Sequence, residues 1–174
     1  MILHITTGTI TYMQQLKSKH PDINLGAIGQ DAVLYYEDNS NDSIFSSKQS
    51  YNLDKTSSDL DEDRPTSIHF IPIPGTRKEP MYGHLAEIHE ILNETKGVMA
   101  YRIGESLSEE GFIVLTQWAK TSTYNDFKQT NNYKNYFTAE ALNKHRTAEA
   151  LFHKSVSSKL YLPLKDNAAE EDEF

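Results

Sequence analysis

The chain has 174 residues, 37% of them apolar, and carries a formal charge of -8 at neutral pH. That length accommodates one large domain or two small ones, and the absence of cysteine excludes disulfides, thiolate zinc sites and cysteine nucleophiles. No run reaches the roughly 20 apolar residues of a membrane span, and MILHITTGT lacks the basic flank and long apolar core of a signal peptide, so a cytoplasmic protein is expected.

The charge is unevenly spread. The segment 166–174, DNAAEEDEF, holds five acids and no base, which leaves 20 acids against 17 bases elsewhere. A weakly acidic body without a Lys/Arg run argues against nucleic acid as a partner, and 166–174 reads as a solvated, disordered acidic tail.

In chain order, Ile2 to Thr6 is expected to be a strand, and Thr9 to His20 a helix with Ile10, Met13 and Leu16 on one face, stopped by Pro21. Strands are expected over Ile23 to Ile28 and Ala32 to Glu37, followed by the turn cluster DNSND and a brief SIF. Residues 1–46 thus form a small N-terminal βαββ module. The next stretch, 47–65, is strongly hydrophilic, with Tyr51, Leu53 and Leu60 as its apolar anchors, and reads as a polar, mobile linker. Its acids Asp59, Asp61, Glu62 and Asp63 lack EF-hand spacing and glycine, and are expected to be a solvated loop.

Residues 66–165 have a clearer order. TSIHFIPIP, from Thr66 to Pro74, is a strand whose two prolines cannot donate ladder hydrogen bonds. Met81, Leu85, Ile88 and Leu92 form the apolar stripe of a helix over Glu79 to Asn93. Strands Val98 to Ile103 and Phe112 to Trp118 follow, then a helix over Thr123 to Thr130 and further helical material through Tyr133, Tyr136, Ala141 and Leu142. Ser157 to Leu164 is the closing strand. This βαββαβ order is ferredoxin-like: an antiparallel sheet with both helices on one face. The opposite face would be apolar and uncovered, so a homodimer pairing two such faces is expected.

FIP at Phe70 to Pro72, KGVMAYRI, FIVLTQWAKTSTYNDFKQTNNYKNYF and LYLPL together resemble the antibiotic-biosynthesis-monooxygenase (ABM) superfamily, whose fold is a dimeric α+β barrel. The resemblance spans Ile2 to Leu164. DFKQ at Asp126 to Gln129 is similar to the TRAP signal-transduction family, and LTQW at Leu115 to Trp118 to the heme-degrading monooxygenases. For the latter the resemblance implies an asparagine on the first strand of the domain, a tryptophan ending the third and an iron-ligating histidine in the following helix. Trp118 stands at the tryptophan position, but Phe70 falls at the asparagine position and Phe137 at the histidine position. Phenylalanine neither ligates iron nor donates a hydrogen bond, so both rings are expected to fill the space that heme occupies in active relatives. The reading that follows is a TRAP-like dimer with a signalling or stress-response role, no cofactor and no heme-degrading activity. The alternative is a heme-degrading monooxygenase with an atypical ligand, His145, and a cofactor-free monooxygenase acting on a small aromatic ligand stands third.

The remaining histidines give no metal site by spacing. His84 and His89 lie about 140° apart around their helix. His69 points to the opposite side of its strand from Phe70. His153 and His145 read as surface residues, His4 as a strand-face residue, and His20 as a helix-end residue favoured by the dipole. Tyr133 and Tyr136, with Phe137, line a cleft or pack an interface. GxSxG, Walker, GxGxxG and HExxH motifs are absent from the sequence.

Overall fold

In chain order the elements are β1 (Ile2–Thr9), α1 (Ile10–Lys19), β2 (Asn24–Ile28), β3 (Asp31–Asp38), β4 (Ser50–Thr56), β5 (Thr66–Pro72), α2 (Glu79–Glu94), β6 (Val98–Ser106), β7 (Gly111–Trp118), α3 (Thr121–Phe127), α4 (Asn131–Tyr136), α5 (Ala139–Asn143) and β8 (Ser157–Tyr161). They come from a computed structural model that describes residues 1–47, 49–73, 78–108, 110–148, 150 and 154–167. Of the expected tail 166–174, residues 168–174 lie outside the described residues, as does His153, whereas Asp166 and Asn167 are helical and the buried Asn167 amide exchanges two hydrogen bonds with Gly29.

Local chemistry accounts for most boundaries. The Thr9 hydroxyl accepts from Tyr12 N and starts α1, whose buried Met13 points to the sheet. A proline in the first turn opens α2, and Met81, Leu85, Ile88 and Leu92 are its buried stripe. At the turn into β6, Gly97 has φ +89, and a Cβ there would lie 2.1 Å from the Thr123 side chain, so both backbone and neighbour require glycine. The expected helix over Thr123 to Thr130 with its extension is instead three short helices. Thr130 caps α4 by accepting from Tyr133 N, and Thr138 caps α5 by accepting from Ala141 N. Each threonine restarts the backbone at a new angle.

All eight strands form one sheet in the order β2-β3-β1-β4-β6-β7-β5-β8, with every neighbouring pair antiparallel. The order repeats. β2-β3-β1-β4 and β6-β7-β5-β8 are the same ladder, so both halves are ferredoxin-like, and the first lacks a helix between its third and fourth strands. β4 joins β6 in the middle, and Ala27 pairs with Leu162 through two 2.8 Å hydrogen bonds where the sheet's ends meet. The sheet closes into a barrel within one chain.

This closure corrects one expectation and removes the ground given for another. The segment 47–65 is not a free linker, because Ser50–Thr56 is a strand that completes the first half and pairs with both β1 and β6. Its remainder is tied down as well: Ser57 Oγ accepts from Tyr101 N, and Asp61 exchanges two hydrogen bonds with the Gln117 amide. The homodimer was expected in order to cover the apolar sheet face of the second half. That face is covered by the chain's own first half: Leu3, Ile5, Val33, Tyr35 and Tyr51 pack there against Ile68, Ile113, Leu115 and Tyr161. The physical reason for a partner copy on that face is therefore gone.

Outside the barrel, α2 to α5 cover the second half over a core that includes Ile71, Ile103, Phe112, Val114 and Trp118, while α1 and Phe45 cover the first half. No helix among the described residues is long and apolar enough to cross a membrane.

Candidate functional site

Trp118 ends β7 on the helix-facing side of the sheet and is 1% exposed. Its indole N–H donates to Ser67 Oγ at 2.9 Å, and its ring lies 5.1 Å from both Tyr124 and Phe127, which α3 carries. The break at Thr130 folds α4 back so that Tyr133 and Phe137 meet the same cluster. Phe127 and Phe137 are 5.1 Å apart, and Tyr133 stacks on Phe137 at 5.9 Å with the rings nearly parallel. Phe137 is 3% exposed. Five rings thus occupy continuously the space between sheet and helices beside Trp118.

A buried histidine also enters this block. His69, 2% exposed, meets the edge of Phe137 at 5.6 Å, its Nε2 lies 3.1 Å from Ser158 Oγ, and its Nδ1 has no hydrogen-bond partner among the described residues. Burial pushes its pKa from the ordinary 6.5 down to about 4. The folded state therefore holds this ring neutral, whereas the unfolded chain protonates it below pH 6.5. Stability is fully present above pH 6.5 and falls as pH drops toward 4, by about 3 kcal/mol at the lower limit as an order of magnitude. Denaturant unfolding of wild type and His69→Leu at pH 7 and pH 4.5 should show a steeper acid loss in the wild type. Equal losses would remove His69 from the account.

Of the four candidate cleft residues, Trp118 and Phe137 come together in this cluster and Phe70 and His145 do not. Phe70 lies on the other face of β5, in the barrel interior with its ring 6.5 Å from Tyr51, so it does not share a cavity with Phe137. Alternation along β5 places Ser67, His69 and Ile71 toward the helices and Ile68 and Phe70 toward the barrel. The His145 ring lies 4.5 Å from that of His84, tilted by 39°, and His84 Nε2 donates to Tyr136 O at 2.8 Å. Desolvation lowers the pKa of His84, and the neighbouring His145 adds to that lowering. His89 packs against Tyr101. The described residues contain no cluster of three or more His, Cys, Asp or Glu able to hold a metal ion.

Two polar arrays were not anticipated. His4 Nε2 faces Asp38 Oδ1 at 2.9 Å and Ser40 O at 3.0 Å, both acceptors, so it carries the proton and Nδ1 accepts from Ser50 Oγ at 2.7 Å. The order Ser–His–Asp is that of a nucleophile with its base, yet here the serine and histidine are both buried and only Asp38 reaches solvent. His4 is fully buried under Tyr36, which packs on Phe45, and the array ties β1, β4 and the start of the β3–β4 connection together. In the barrel, Arg102 grips Glu37 with two hydrogen bonds of 2.8 and 2.9 Å. A histidine in a strand and an Arg/Glu pair 65 residues apart leave no signature in sequence spacing.

Against known proteins, no family model matches the chain. It is 21% identical over 168 residues, 96% of this chain and all of the relative, to a protein of Staphylococcus epidermidis. It is 22% identical over 165 residues, 94% of this chain and 98% of the relative, to one of Staphylococcus aureus. Among solved structures it matches a heme-degrading enzyme from Listeria monocytogenes with a TM-score of 0.68 at 16% identity, over 93% of this chain and 99% of that one. A Listeria monocytogenes ferredoxin-fold protein related to antibiotic-biosynthesis monooxygenases matches with a TM-score of 0.69 at 17% identity, over 92% of each chain. The fold is thus the α+β, ferredoxin-like fold of the ABM proteins. Within that class, both staphylococcal relatives are named signal transduction protein TRAP. A major regulator of staphylococcal pathogenesis has the same fold, with a TM-score of 0.79 at 19% identity over 94% of this chain and 99% of that one.

Proposed function

We propose that this chain is a TRAP-like regulatory protein that uses the ABM fold as a scaffold and does not degrade heme. The observation that carries this reading is the aromatic block at Trp118. A porphyrin between sheet and helices would have to displace Phe127, Tyr133 and Phe137, which are mutually packed at 5.1 to 5.9 Å. The residues present do not fit that group. The ring of His145, the expected alternative ligand, packs at 4.5 Å against that of His84, and the His69 ring meets Phe137 edge-on at 5.6 Å. Full-length similarity to proteins named for signal transduction supports the regulatory half of the reading.

The test is direct. Hemin titrated into the purified protein is expected to give no saturable Soret band and no bleaching with reductant under oxygen. A stoichiometric complex that bleaches would overturn the reading, and its sensitivity to His69→Ala or His145→Ala would then identify the ligand.

A further inference from the structure

The internal duplication creates two equivalent seams, β4 against β6 and β8 against β2, and they are not built alike. β4 and β6 share five residue pairs, whereas among the described residues β2 pairs with the end of the β8 segment through Ala27 and Leu162 alone. The course of the chain explains the difference. Residues 164–167 are helical, with Pro163 O accepting from Asp166 N at 2.9 Å and from Asn167 N at 3.1 Å, so pairing stops and the chain turns away. The strands part, and a cavity of about 750 Å³ opens between α1, β2 and the segment after β8, lined by Gln14, Ser18, Pro21, Leu25, Pro163 and Leu164 among others.

The polar groups in its wall already have partners. Leu25 N, which lost a strand neighbour, donates to Glu62 Oε2 at 3.0 Å. The Lys17 ammonium spends its protons on Glu62 at 3.0 Å, Ile23 O at 2.6 Å and Pro21 O at 3.2 Å. What faces the cavity is chiefly hydrocarbon: Leu25, Leu164, two prolines and the Lys17 stem. Two exposed charges border it, Lys165 and Asp63. A volume within the usual range of ligand pockets, apolar walls and satisfied polar edges favour an apolar body over a polar metabolite.

We propose that this seam binds a single-chain amphiphile carrying a carboxylate, its hydrocarbon lying along Leu25, Pro21, Pro163 and Leu164 and its head meeting Lys165 at the rim. Lys17 is neutralised by Glu62, which leaves Lys165 as the lining cation available to an anion. The proposal is independent of whether the Trp118 region holds heme.

The test uses the full chain and the fluorescent fatty acid 11-(dansylamino)undecanoate, with its uncharged amide as a second probe. The acid is expected to bind saturably at one site with a blue-shifted emission. Ser18→Trp and Gln14→Trp, both at exposed positions of α1, fill the cavity and should abolish binding while leaving the circular dichroism spectrum unchanged. Lys165→Glu should weaken the acid by about two- to fivefold, the scale of an exposed ion pair, and leave the amide unaffected, while Asp63→Asn should tighten the acid. Absence of saturable binding, or binding that survives both tryptophan variants in folded protein, overturns the site. Equal effects of Lys165→Glu on acid and amide overturn the assigned head contact.

Discussion

Replacing Arg102 by methionine is expected to destabilise the protein by about 3–5 kcal/mol, the usual cost of removing one partner of a buried ion pair. Arg102 is 3% exposed and lies between Tyr101 and Ile103, whose side chains face the helices, so its own side chain enters the barrel. There it meets Glu37 in a two-pronged contact at 2.8 and 2.9 Å and also donates to Ser57 O at 2.6 Å and Tyr101 O at 2.8 Å. Glu37 belongs to the first half and Arg102 to the second, so the pair links the two halves across the barrel. Truncating the arginine leaves the Glu37 carboxylate and a backbone carbonyl without their donors. Arg102→Lys should recover little, since an ammonium cannot reproduce the planar fork. Adding Glu37→Met to Arg102→Met should recover much of the loss, because the penalty lies in the orphaned charge rather than in the lost attraction. Urea unfolding read by fluorescence checks this, with the slope against denaturant expected to stay constant. A single variant as stable as wild type would show that the pair does not stabilise the junction of the two halves.

The aromatic block provides the second large effect. Phe137→Ala is expected to cost about 3–5 kcal/mol, because the removed ring contacts His69, Phe127 and Tyr133, and these are held by separate elements that cannot collapse together into the void. Phe137→Leu keeps most of the volume and should cost markedly less. The loss in Phe137→Ala should also make the acid sensitivity of His69 shallower, since water entering the void solvates its unpartnered Nδ1. Unfolding curves for the three proteins at pH 7 and pH 4.5 separate the two effects. If Phe137→Ala and Phe137→Leu lose the same small amount, the ring is peripheral and the space beside Trp118 is not sealed by it.

Apolar periodicity was enough to place β1, α1, β2, β3, β5, α2, β6, β7 and β8 within a few residues of where they lie, because each of these elements presents one face to a core. β4 escaped that signal. In YNLDKT only alternate residues meet the barrel, the others are polar, and the strand's identity rests on hydrogen bonds to β1 and β6 that are distant in sequence. Missing one strand concealed the whole duplication, since without β4 the first half is a βαββ fragment rather than a second ferredoxin-like unit. The expected partner copy followed from that omission.

Trp118 and Phe137 show the same division at the scale of single residues. That neither phenylalanine position can bind iron follows from side-chain chemistry, and the chain alone settles it. That Phe137 seals the helix side while Phe70 lies in the barrel follows from which face of β5 each position presents, and a shift of one residue in the alignment reverses that assignment. The chain by itself therefore settled the fold class and the elements with a strong apolar period. Tertiary structure decided the closure of the barrel within one chain, the burial of Arg102 with Glu37, and the opening at the Pro163 seam. These depend on pairings between segments tens of residues apart, where no local preference reports which edge will meet which.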